Sequence, residues 1–310
     1  MRRAAALGLV VCALITAALT AAPTAGAATP KHARRPLEFA VGVTTQRFDN
    51  EGRSISATVY YPATGRAAPF VIDDAPRNTK WAPYPLILFS DELGSNANDY
   101  AALLRAWASN GYVVAVPDYP QPSTTDTNAD GQVSVDLGER VVDASFVIDR
   151  MLDEVQGGFG HLVDHKKIVA AGHALGAIVT FVLAYGTGIR DPRIEAAVTM
   201  AGSLAGDPTN YFADVNTPLL AIHGDADKID PIAGTKSAYA LASPPKFYVT
   251  LLGADHSAPY ISPTDAGFPV VKETTLDFFS AYVGGRVSGL QQLERDGNVP
   301  KVSKITSNPE

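Results

Sequence analysis

The sequence predicts an α/β fold with a mostly parallel central sheet and helices on both faces. Three observations point there. Short continuous apolar runs such as Pro85 to Phe89 and Val113 to Val116 read as strands buried on both faces. Stretches with apolar residues at helical spacing separate them. One turn, Gly172-His173-Ala174-Leu175-Gly176, joins an apolar β-type run to an apolar helical run. A chain of 310 residues, 46% of them hydrophobic, suits one large domain of this kind, or two smaller ones.

The elements follow in order. Val41 to Thr45 and Ser54 to Tyr61 alternate like strands, with Asp49-Asn50-Glu51-Gly52 as a hairpin turn. Residues 63–84, rich in Pro, Ala and Asp, read as a loop. Strand Pro85 to Phe89 precedes a helix marked by Tyr100, Leu103, Leu104, Trp107 and Ala108. Strand Val113 to Val116 precedes a helix marked by Leu137, Val141, Ala144, Ile148, Met151 and Leu152. After the glycine turn come strands at Ala196 to Met200, Pro218 to Ile222 and Lys246 to Leu252. Helices are expected near Ala233 to Leu241 and Val270 to Tyr282. The expected organisation is a signal segment (1–27), a leader (28–37), the α/β domain (38–284) and a weakly packed tail (285–310). No internal repeat is visible.

Charge and leader composition bound the function. A net charge of −7 argues against nucleic-acid binding, because no basic excess is available for phosphates. Arg2 and Arg3, the apolar run Leu7 to Leu19 and Ala25-Gly26-Ala27 read as a cleavable export signal. The apolar run is too short to span a bilayer comfortably, so no stable membrane anchor is expected. The single cysteine, Cys12, lies inside that segment and follows Val11 rather than a small residue, which argues against a lipid anchor. The exported chain is expected to be free of disulfides and thiol chemistry. Nothing in the sequence names a protein partner.

Three stretches carry chemistry. The turn at Gly172 to Gly176 has the layout of G-x-S-x-G, a sharp strand-to-helix elbow that exposes a nucleophile. Its central residue is Ala174, and a methyl group cannot attack a carbonyl. Strand Leu219 to Ile222 leads into His223-Gly224-Asp225-Ala226-Asp227, an acid-bearing loop. Asp227 stands in the usual acid position, with Asp225 and Asp230 as rivals. Leu251-Leu252-Gly253-Ala254-Asp255-His256 then puts a histidine after the next strand. Nucleophile position, acid and histidine thus come in α/β-hydrolase order, at the strand ends where open α/β sheets build sites.

Taken with Val41 to Pro62 and Pro85 to Pro117, these stretches resemble secreted bacterial esterases of the platelet-activating-factor acetylhydrolase and dienelactone-hydrolase-like group, related to the actinobacterial cutinases. The resemblance covers most of residues 38–284. It implies an α/β-hydrolase fold and cofactor-free ester hydrolysis by a Ser-His-Asp triad. The chain departs from the pattern twice. One departure is Ala174. The other is Ser90-Asp91-Glu92-Leu93, where Asp91-Glu92 replaces the family's His-Gly in the oxyanion loop. By position Leu93 and Leu175 would supply the two oxyanion N–H groups, and neighbouring carboxylates oppose that role. Asp91 or Glu92, if desolvated, would have a raised pKa and donate a proton. Ser90, Ser203 and Ser257 are the nearby serines, and each reads as structural.

These residues support three functional readings. The first is a non-serine enzyme in which His256, oriented by Asp227, is the general base for lyase, cyclase, isomerase or addition chemistry on a small organic substrate. The second is a ligand-binding pseudo-esterase, and the third a weak or unconventional esterase. No metal and no cofactor is expected. Asp126 to Gly131 matches half of a calcium loop, but its twelfth position is Leu137, so a surface turn is expected.

Overall fold

The computed structural model describes residues 37–50, 53–119, 136–154, 158–204, 210–212, 215–286 and 288–310. The signal segment, the leader up to residue 36 and the half calcium loop at Asp126 to Gly131 lie outside the described residues.

Ten strands among the described residues form one sheet, in the order β10-β9-β8-β7-β6-β4-β5-β2-β1-β3. The expected hairpin is β1 (Ala40–Asn50) paired antiparallel with β2 (Arg53–Ala63). The stretch expected as a loop contains a short strand, β3 (Val71–Asp73), which pairs parallel with β1, and a tight helical turn at Thr79–Trp81. Three residues give too little alternation to mark a strand in the sequence.

The parallel part is built from β4 (Tyr84–Ser90), β5 (Val113–Asp118), β6 (Val163–His173), β7 (Ile194–Met200), β8 (Leu219–Gly224) and β9 (Lys246–Leu251). All residues of β4 and β8 are buried, as their uninterrupted apolar sequences require. Adjacent residues point to opposite faces. Leu86 and Leu88 join one core with helices α2 (Leu137–Leu152) and α3 (Leu175–Tyr185). Ile87 and Phe89 join the other, with α1 (Ala101–Ser109) and α6 (Phe268–Tyr282). Helix α4 (Ala233–Leu241) lies between β8 and β9 in the chain, and the short α5 (Ala258–Ile261) follows β9. Trp107 Nε1 donates to Thr275 Oγ1 at 2.8 Å and ties α1 to α6.

The tail does not pack weakly. It forms α7 (Gly289–Asp296), whose Leu293 is fully buried, and β10 (Ser303–Asn308), which pairs antiparallel with β9 along six residues. Its sequence, Ser-Lys-Ile-Thr-Ser-Asn, is polar because an edge strand buries only one face, and a lysine there discourages pairing with another chain. Among the described residues no helix is long and apolar enough to cross a membrane.

The strand order reverses at β4. From β4 the chain runs outward to β5, then returns to place β6 on the other side of β4. The carboxyl ends of β4 and β6 therefore flank a crevice, the place where open α/β sheets bind ligands.

Candidate active site

The elbow is intact without its nucleophile. Ala174 has φ 51° and ψ −114°, a strained backbone for a residue with a Cβ, of a kind that costs roughly 1–3 kcal/mol. The flanking glycines are steric requirements. A Cβ on Gly172 would strike the Gly176 carbonyl, and one on Gly176 would strike the Ser90 carbonyl at the end of β4. The elbow thus presses β6, α3 and the β4 terminus together, with the buried Ala174 methyl at its apex.

The loops after β8 and β9 supply the other two groups. His256 Nδ1 lies 2.7 Å from Asp227 Oδ2, and both residues are buried. The second Asp227 oxygen accepts from the backbone N–H groups of Ile229 at 2.8 Å and Asp230 at 3.0 Å. These contacts fix the carboxylate. Burial raises its pKa, but the His256 and backbone hydrogen bonds outweigh burial and hold it below the usual range. The rivals have other work: Asp225 accepts from Gly253 N at 2.6 Å, and Asp230 holds Ser203 at 3.3 Å. Ser90 Oγ shares a hydrogen bond with the Tyr119 hydroxyl at 2.7 Å, and the Ser257 backbone N–H donates to Asp255 at 3.1 Å.

Glu92 changes the chemistry. Its Oε1 lies 3.2 Å from His256 Nε2, the ring nitrogen that a serine would engage in a triad. That nitrogen is therefore not free, and His256 at rest is not a general base. Both ring nitrogens face carboxylate oxygens, which only accept, so both carry hydrogen. Burial opposes the charge, but the bonds to Glu92 and Asp227 lift the His256 pKa to about 9. Glu92 moves the opposite way from the expectation: its bond to His256 holds it below the usual carboxylate range. Asp91 behaves as expected of a desolvated acid. It is 6% exposed, and burial raises its pKa to about 7 against the pull of Arg140. After burial, the largest effects of other charged groups on it come from Arg140, Asp118 and Asp99.

Sequence reasoning missed two histidines and a tyrosine. His223 Nε2 approaches Asp227 Oδ2 at 3.0 Å, so the acid serves two rings. His173, fully buried, reaches the His256 carbonyl oxygen with Nε2 at 2.8 Å and the Tyr100 hydroxyl with Nδ1 at 2.8 Å. Burial lowers the His173 pKa to about 4, so the ring is neutral. The Tyr100 oxygen also accepts the Glu92 N–H at 3.4 Å. The available signal was that His173 ends β6 and His223 is next to last in β8, on the side of the site. Leu175 opens α3, where the first N–H groups have no acceptor within the helix, and Leu93 lies 40% exposed in the turn after Glu92.

His256 borders a cavity of about 440 Å³ lined by Ala226, Lys228, Ile229, Asp255, His256 and Ser257. A larger apolar groove of about 900 Å³ between α2 and α3, lined by residues such as Val141, Phe146 and Ile189, holds none of these reactive groups. Chemistry, not size, places the site at His256.

Comparison with known proteins agrees with this architecture. A ferulic acid esterase from Streptomyces cinnamoneus superposes with a TM-score of 0.63 at 19% identity, covering 80% of this chain and 91% of that one, which shows a shared fold. No curated protein matches the chain. The model of the dienelactone hydrolase family matches residues 75–243, more than half of the chain and inclusive of the elbow and Asp227. The chain therefore belongs to the dienelactone hydrolase family.

Proposed function

We propose that this protein is an exported enzyme that acts on a small organic substrate by proton transfer at His256 and forms no serine acyl-enzyme. One observation carries the reading. The buried Asp227–His256 pair is intact at 2.7 Å although the elbow presents a methyl, and Glu92 Oε1 stands 3.2 Å from Nε2, the ring nitrogen a triad serine would engage. A proton-bearing ring between two carboxylates is a donor held ready, and Glu92 is the neighbouring acceptor. Such a pair suits elimination, addition, isomerisation or cyclisation, which move protons without an acyl intermediate. The charged start and apolar core of residues 1–27 support export.

A second reading, a ligand-binding pseudo-esterase, is favoured by the same Glu92 contact, because it closes the ring nitrogen at rest. One experiment separates the two. The native substrate is sought by comparing metabolite mixtures before and after incubation with the protein. Conversion of a metabolite, reduced about 10²–10⁴-fold by His256→Ala, supports the enzyme. Turnover at the parental rate in His256→Ala overturns the proton-transfer role. Depletion of a metabolite by stoichiometric capture, without product, supports the binder.

A further inference from the structure

Glu92, His173 and His256 together have the composition and the outer contacts of a metal site. One ligating atom from each lies within 4.8 Å of the others. Glu92 Oε1 is 3.2 Å from His256 Nε2, and Glu92 Oε2 is 3.7 Å from His173 Nδ1. The two distances run to different oxygens of Glu92. Tetrahedral ligands at zinc-like bond lengths sit about 3.3–3.4 Å apart, so the glutamate lies at ligand spacing from His256 and a few tenths of an ångström beyond it from His173.

The outer hydrogen bonds fix which nitrogen each histidine offers. The His256 carbonyl oxygen only accepts, so the His173 Nε2 that touches it at 2.8 Å carries the hydrogen. The Tyr100 oxygen accepts the Glu92 N–H, so its own hydrogen is available to His173 Nδ1 at 2.8 Å, which makes Nδ1 the bare nitrogen, 3.7 Å from Glu92 Oε2. Asp227 likewise holds the hydrogen of His256 on Nδ1 at 2.7 Å, leaving Nε2 as its coordinating atom. In metal sites each ligating histidine characteristically donates its other N–H to a carboxylate or a backbone carbonyl, and here both do so, one to each kind. The charges also match. Glu92 and Asp227 place two carboxylates against the two rings, and a divalent ion balances them.

We infer that Glu92, His173 and His256 form a binding site for a divalent transition-metal ion of the zinc or cobalt class. Two imidazole nitrogens and one carboxylate suit such ions, whereas calcium and magnesium want an oxygen shell. The ion competes with the Tyr100 hydroxyl, which occupies His173 Nδ1 at 2.8 Å, and that phenol must turn aside on loading. It also competes with the hydrogen on His256 Nε2, so the loaded protein lacks the proton donor of the function proposed above. The inference goes beyond that reading and is tested without an activity assay.

The experiment is titration of untagged full-length protein with Zn²⁺ by calorimetry and with Co²⁺ by visible absorption. The expected result is one ion per chain, with tetrahedral or five-coordinate Co²⁺ bands. Glu92 is partly exposed, so Glu92→Gln leaves the core packing in place, and it weakens binding at least tenfold. The exposed group Glu154, His161 and His165 is the natural competitor, since both histidines lie within 4 Å of that glutamate. His161→Ala with His165→Ala should leave the one-ion stoichiometry and the bands unchanged. Absence of saturable binding overturns the inference. So does binding that survives Glu92→Gln unaltered, or binding that vanishes with the surface pair.

Discussion

At the scale of single residues, the site turns on what each side chain leaves room for. Ala174 keeps the positive φ of an elbow while offering only a methyl, and Glu92 reaches His256 Nε2, the ring nitrogen a triad serine would engage. The sequence made Ala174, Asp227 and His256 legible, because each sits at a fixed distance after a recognisable strand. It left Glu92's role open, since no local pattern tells which way a loop carboxylate points. His173 and Tyr100 were illegible for a related reason: their importance lies in contacts across 73 residues of chain. Steric crowding at the elbow has a measurable consequence. Gly176→Ala drives a Cβ into the Ser90 carbonyl, an overpacking that costs about 3 kcal/mol or more. Thermal unfolding should show Tm lower by roughly 5–10 °C. A variant as stable as the parent would mean that the contact of α3 with the end of β4 is looser than described.

Among the elements, α2 coincides with the amphipathic stretch read from the sequence, because its apolar spacing is regular, and α4 lies where a helix was expected. The tail was misread because α7 and β10 bury one narrow face each, and a polar edge strand resembles a solvated tail when partners are unseen. The packing of α7 on α6 carries a pH signature. Burial first, and then the neighbouring Asp296 carboxyl, raise the Asp277 pKa to about 7. A carboxyl whose folded pKa exceeds its unfolded value stabilises the fold fully below about pH 4. That contribution is lost as pH rises through about 7. Denaturant unfolding of the parent should therefore show stability falling as pH rises from about 4 to about 7 and levelling off above that. Asp277→Asn should remove much of that slope, on the order of 1 kcal/mol after solvent screening is allowed for. An unchanged slope in the variant would place the pH dependence elsewhere.

In the whole molecule, the reversal of strand order at β4 brings together two departures from the family pattern that lie far apart in sequence. The loop after β4 carries Glu92 and the neighbouring β6 terminus leads into Ala174, and the histidine that follows β9 meets Glu92 there. The fold was legible because burial on both faces of a parallel sheet writes itself into apolar runs. The convergence was not, because it depends on which strands are neighbours. The central claim is that Glu92 occupies, at His256 Nε2, the position that a serine nucleophile would need. Intact-mass measurement after incubation with a fluorophosphonate tests it most directly, applied to the parent, Ala174→Ser, and Ala174→Ser combined with Glu92→Gly. The account predicts no adduct on the parent and little on Ala174→Ser, where Glu92 still holds the ring. A stoichiometric adduct on the introduced serine is expected only once Glu92 is removed. Rapid stoichiometric labelling of the parent, or of Ala174→Ser with Glu92 in place, would contradict it.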